Sequence, residues 1–151
     1  MRKGAVISSV NGLYMNGYRS TDVAMQVQFS TKKFTTVRFT AALVAKNAAN
    51  VNWKVLYSTD GTVYNPVINN GEELVYKLSN GLATSVDFEL PAEEVAEKEM
   101  VYIRFTGTGD ELLNDNNGEY NFDKVDSGSG LNYTDHSETG LGNIYVFGTP
   151  I

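Results

Sequence analysis

A period of two constrains this chain more than any other feature. In Val23-Ala24-Met25-Gln26-Val27-Gln28-Phe29 the apolar Val23, Met25, Val27 and Phe29 share one face while Gln26 and Gln28 share the other, the mark of a half-buried strand. Residues 34–43 place Val37, Phe39, Ala41 and Leu43 together, with Thr36, Arg38 and Thr40 opposite. Val51, Trp53, Val55 and Tyr57 form a third apolar face, backed by Asn52, Lys54 and Ser58. The pattern returns at 74–78, 86–90, 101–105 and 144–147, in segments rich in the β-branched and aromatic residues that suit a pleated surface. Asn-Gly pairs at 11–12, 16–17, 70–71, 80–81 and 117–118, and Asp60-Gly61, supply residues that tolerate the positive φ of tight turns. Only residues 91–99 have a helix-forming composition, and with Pro91 at their head they predict at most one short helix near 92–99. Short alternating strands, frequent turns and almost no helix predict an all-β, two-sheet antiparallel β-sandwich of jelly-roll type.

At 151 residues the chain is long enough for one core and is read as a single domain, 1–151. It has no cysteine, so no disulfide is possible, and no window reaches the roughly 18 apolar residues of a membrane helix. Met1-Arg2-Lys3 is followed by too short an apolar run for a signal peptide. The net charge of −6 argues against nucleic-acid binding. That figure conceals a split. Up to Lys54 there are eight basic residues and one acid, Asp22, for +7; beyond it there are four basic residues and seventeen acids, for −13. No linker marks a boundary at this point, since 51–57 reads through it as a strand. The split is therefore expected within one sheet protein whose two chain halves attract each other.

Residues 107–142 break the alternation. These 36 residues hold seven of the fourteen glycines and eight acids against one base, Lys124. So long an excursion in a compact domain draws the functional question. Its aromatics Tyr120, Phe122 and Tyr133 are uncommon in disordered acidic tracts.

The ordered succession of 29–32 (Phe-Ser-Thr-Lys), 53–62 (Trp-Lys-Val-Leu-Tyr-Ser-Thr-Asp-Gly-Thr), 88–91 (Phe-Glu-Leu-Pro), 101–105 (Val-Tyr-Ile-Arg-Phe) and 142–150 (Gly-Asn-Ile-Tyr-Val-Phe-Gly-Thr-Pro) resembles the jelly-roll modules of bacterial surface and secreted proteins. These are galactose-binding-like and carbohydrate-binding-module-like β-sandwiches, found beside immunoglobulin-like repeats, surface anchors or extracellular hydrolase and nuclease domains. The resemblance spans roughly residues 20–151. It implies a non-catalytic module of a longer chain, extracellular or on the cell surface, that binds carbohydrate or positions a neighbour. Many such modules carry Asp-Asn before the last strand where this chain has Gly142-Asn143, which removes a carboxylate from that position.

The chemistry-bearing residues agree with a binding role. There is no cysteine nucleophile, and a Ser-His-Asp site would depend on the one histidine, His136, whose neighbours Ser127, Ser129, Asp135 and Ser137 share its loop without defining a geometry. The chain is read as no enzyme. One histidine and no cysteine make no zinc pattern, and residues 114–119 (Asn-Asp-Asn-Asn-Gly-Glu) miss the EF-hand register because Leu113 falls at the first position. A structural calcium held by residues distant in sequence stays open, with no ligand assigned. Sugar recognition needs aromatic faces with amides or carboxylates beside them. Trp53, in phase with Val51 and Val55, is assigned to the core, and the face of Tyr102 stays open. The candidate ligand-binding residues are Tyr14, Tyr18 and Tyr64, and in the acidic loop Tyr120, Asn121, Phe122, Asp123 and Tyr133. The alternative is a structural or adhesive spacer that contacts neighbouring surface-protein domains or a protein receptor.

Overall fold

A computed structural model describes residues 5–16, 24–46, 50–79, 82–108 and 138–151. They form β1 (Ala5–Asn16), β2 (Met25–Phe29), β3 (Val37–Lys46), β4 (Asn52–Ser58), β5 (Asn65–Pro66), β6 (Ile68–Asn69), β7 (Glu72–Glu73), β8 (Val75–Lys77), β9 (Thr84–Leu90), α1 (Ala92–Val95), β10 (Val101–Gly107) and β11 (Glu138–Gly148). One sheet runs β1-β11-β3-β9 and the other β2-β10-β4-β5, with β8 also on β4. All of these pairings are antiparallel. With β5 and β8 counted together as the fifth strand of the sandwich, the sheets read 1-8-3-6 and 2-7-4-5 in chain order. That is the double Greek-key order of a jelly roll, as the alternation predicts. The helix is a single turn.

The inward faces are those the period of two selects. Met25, Val27 and Phe29 from β2, Trp53, Val55 and Tyr57 from β4, and Val101, Ile103 and Phe105 from β10 are buried against Val37, Phe39 and Leu43 from β3, Val86, Phe88 and Leu90 from β9, and Leu141, Ile144 and Val146 from β11. Phe39 and Phe88 stack at 5.2 Å within one sheet, and Phe105 reaches them from the other at 5.6 and 6.4 Å. Trp53 is in the core, and its indole nitrogen donates to the Asn50 carbonyl oxygen at 2.8 Å, which satisfies the one polar atom it buries.

One turn signal, and the Gly142-Asn143 pair before the last strand, act within strands. Asn11-Gly12 lies inside β1, where Val10 faces Ile144 and Gly12 faces Gly142. A Cβ on Gly12 would sit 3.2 Å from the Leu141 carbonyl oxygen, so this glycine serves a close strand approach instead of a turn. Gly142-Asn143 is a bulge: between Gly142 and Tyr145, β11 uses three steps against two on β3, from Ala42 to Thr40. Asn143 takes up the left-handed φ of +50°, which asparagine tolerates better than most residues. The extra residue lets Leu141 and Ile144 both face inward despite their odd spacing. Asn70-Gly71 makes the expected hairpin turn, with φ of +54° and +81°, between β6 and β7. Strand β11 begins at Glu138 and β10 ends at Gly107.

The α1 connector is clamped to the β2–β3 turn. The buried Thr31 hydroxyl donates to the Val95 carbonyl and accepts from the Lys98 N–H at 2.8 Å, while the Thr31 N–H donates to the Lys98 carbonyl at 3.0 Å. Because Phe88 touches both of its ring partners, Phe88→Ala is expected to cost about 3–5 kcal/mol. The check is the urea midpoint at unchanged m-value; a loss below about 1 kcal/mol would show that the two sheets do not depend on this aromatic contact.

Candidate functional site

The face of the β2-β10-β4 sheet turned away from the core carries a built polar cluster. Alternation exposes Gln26 and Gln28 on β2 and Tyr102 and Arg104 on β10, and the register sets Gln28 beside Tyr102 and Gln26 beside Arg104. Tyr102 thus lies on the outer face, half-buried. Arg104 Nε donates to Gln26 Oε1 at 2.8 Å, and the Tyr64 hydroxyl donates to the same oxygen at 2.9 Å. The Arg104 guanidinium carbon stands 4.0 Å from the centroid of the Tyr64 ring, a cation–π contact. Gln26 Nε2 in turn donates to Gln28 Oε1 at 3.3 Å. Arg104 is therefore held by its Nε edge and one π-face, which leaves its two terminal nitrogens directed by the pair that grips it. It has no carboxylate partner among the described residues.

Tyr64 reaches this face because the loop from Ser58 to Tyr64 is tied to its own backbone. Asp60 Oδ1 accepts from Thr62 N at 2.8 Å, from Val63 N at 2.9 Å and from the Ser58 hydroxyl at 2.9 Å. Those bonds, to Val63 first and then Thr62 and Ser58, hold the Asp60 carboxyl below its ordinary range. Gly61 adopts a φ of +78° and lies against Tyr102, where a Cβ would come within 3.1 Å of the ring. The loop is thereby laid over β10, which carries Tyr64 across to Gln26.

A second concavity lies at the sandwich end beside α1. It is a cleft of about 320 Å³ lined by Tyr57, Pro66, Ile68, Leu90 and Pro91, with Glu89 and Glu94. The Tyr57 hydroxyl donates to Glu94 Oε1 at 2.7 Å. Burial first, then the bond to Glu94, pushes the Tyr57 phenol up to about 12.

Of the candidate ligand-binding residues named from the sequence, Tyr64 alone has its side chain in this arrangement. Tyr14 belongs to β1 of the other sheet, opposite Gly140, and its side chain lies outside the described residues. Tyr18, Tyr120, Asn121, Phe122, Asp123, Tyr133 and His136 lie outside the described residues, as does the 114–119 segment weighed for calcium. No three carboxylates or histidines among the described residues come together to hold a metal. No helix among them is long and apolar enough to cross a membrane. Sequence reasoning missed Gln26 and Arg104. Their signal is present as polar positions in two alternating segments, but it needs the β2–β10 register to become a contact. Compared with known protein families and with curated proteins, the chain matches none.

Gly61→Ala meets both a left-handed backbone and the Tyr102 ring, and is expected to cost about 1–2 kcal/mol in a thermal melt. No loss would mean that the loop does not press on Tyr102. For Tyr57, the raised pKa means the fold favours the neutral phenol: its contribution is complete below the ordinary value of 10 and is lost as pH rises through about 12. The difference between ultraviolet phenolate titrations of the wild type and Tyr57→Phe is expected to show one group ionising near 12; one ionising near 10 would contradict the burial of the Tyr57 ring and its bond to Glu94.

Proposed function

We propose that this jelly roll is a non-catalytic binding module whose ligand is carbohydrate, working outside the cell or on its surface as part of a larger bacterial protein. The observation that carries the reading is the Tyr64–Arg104–Gln26 cluster, a half-buried aromatic and polar group fixed on an open sheet face. Sugar sites combine a flat apolar surface for the ring with a few oriented donors and acceptors for the hydroxyls. Tyr102 and Tyr64 bring the former; Gln28 and the terminal nitrogens of Arg104 bring the latter. Their mutual hydrogen bonds are made before any ligand arrives, which lowers the ordering cost of binding.

The spacer reading draws on the other sheet, where the outward Val6 and Tyr145 are 53% and 43% exposed. Separate apolar side chains of this kind are normal on soluble proteins, so they favour it less than the built cluster favours a ligand.

A glycan array probed with the purified protein, in calcium and in chelator, separates the two. Binding that falls about tenfold in Tyr64→Ala, with an unchanged melt and partial retention in Tyr64→Phe, is the expected result. No binding at millimolar sugar would turn the assignment to the spacer. Calcium-dependent binding would add a structural metal held by residues outside those described.

A further inference from the structure

Resting on that reading, we infer that the ligand is an acidic polysaccharide, whose repeated anions are read by a diagonal row of cations across the outer face of the β10-β4-β8 sheet. Arg104 is paired with Leu56 and Thr106 with Lys54, which makes Arg104 and Lys54 diagonal neighbours. Lys54 is paired with Val75 and Asn52 with Lys77, so Lys54 and Lys77 stand in the same relation one strand further on. The row descends in one direction, in steps of about 7–8 Å.

Charge on this face runs against the rest of the protein. The net charge is −6, yet the outward positions of β2, β10, β4 and β8 hold three cations and not one carboxylate. None of the three has a carboxylate partner among the described residues. On the opposite sheet the outward Arg38 is neutralised by Asp87, at 2.6 and 2.8 Å. The nearest acid in the covering loop, Asp60, is occupied by its own backbone. Like charges on neighbouring strands repel one another at this spacing, so a row of three without counter-charges is best matched by a ligand that brings anions at intervals. A single small anion would engage only one of them. The flanking tyrosines and glutamines fit a hydroxylated ring between the anions, and the acidic remainder of the molecule opposes the dense phosphate of nucleic acid.

The test measures binding of the full chain to hyaluronan or polygalacturonate for carboxylate, dextran sulfate, which carries no carboxylate, for sulfate, carboxyl-reduced hyaluronan or polygalacturonate as a neutral control, and single-stranded DNA. Binding to at least one acidic chain, weakened by salt and about tenfold tighter than to the neutral control, is expected. Arg104→Gln is expected to weaken it about tenfold. Lys54→Gln and Lys77→Gln, which disturb no described contact, are expected to weaken it about threefold each and to flatten its salt dependence. The two carbohydrate arms assign the anion as carboxylate or sulfate. Equal binding of the neutral polymer would overturn this inference and leave the carbohydrate reading standing. Undiminished binding in both lysine variants would overturn the assigned face, equal binding of DNA would reduce the ligand to any polyanion, and no binding of any glycan would remove both readings.

Discussion

The contact of Phe105 with the stacked pair Phe39 and Phe88 is what makes two sheets into one sandwich. Phe39 and Phe88 are neighbours by register on β3 and β9, and Phe105 comes from the middle strand of the facing sheet. Phe39 is remote in sequence from the other two, and Phe88 and Phe105, on consecutive strands, belong to opposite sheets, so the core cannot form from any local hairpin. The same dependence extends to the termini, because β1 pairs with β11 along almost its whole length. A chain with so few local pairings gives up loop entropy before its burial repays it. The fold is therefore all or nothing with respect to the outer polar cluster, which shares strand β10 with Phe105.

Strand β10 links core and site through simple alternation. Ile103 and Phe105 are wholly buried, and the residues between and beside them, Tyr102 and Arg104, must point outward. Where they point is settled by packing on the core side, so the outer cluster inherits its rigidity from the inner one. Gly61 and Asp60 then determine whether Tyr64 arrives. A sheet face alone would present Arg104 as a mobile surface cation; the covering loop converts it into an oriented one.

Local pattern was enough to read the sandwich, since Met25, Val27, Phe29, Trp53, Ile103 and Phe105 announce their faces by parity alone. It failed where a residue's role depends on a distant strand. Gly12 looks like half of a turn dipeptide until β11 is placed beside it, and Leu141 and Ile144 look out of phase until the bulge at Asn143 restores them. The candidate site was legible only in Tyr64, which is aromatic and follows a turn. Gln26 and Arg104 are separated by 78 positions, and nothing in either segment names the other. Glycine and acid content drew attention to 107–142, whereas the described cluster was hidden among polar positions that resemble an ordinary solvated strand face.

The charge split acquires a structural cause from the strand order. In the two sheets β1–β11, β11–β3, β3–β9 and β2–β10 each join a strand before Lys54 to one after it, while β4, which pairs with β10, β5 and β8, straddles that boundary. The basic early stretch and the acidic late one are therefore interleaved through the sandwich rather than meeting at one interface between halves. Arg38–Asp87, across β3 and β9, and Lys32–Glu99, across the β2–β3 turn and the α1 connector, both follow the rule. Exposed pairs of this kind add little individually, but the pattern disfavours slipped or like-with-like strand pairings, in which bases would face bases. Against this rule the outer face of β10, β4 and β8 stands out. There the late strands contribute Arg104 and Lys77, two of the four bases beyond Lys54, and set them beside Lys54 itself. Where the β3–β9 seam sets Arg38 against Asp87, this face sets three like charges on neighbouring strands with no carboxylate partner among the described residues.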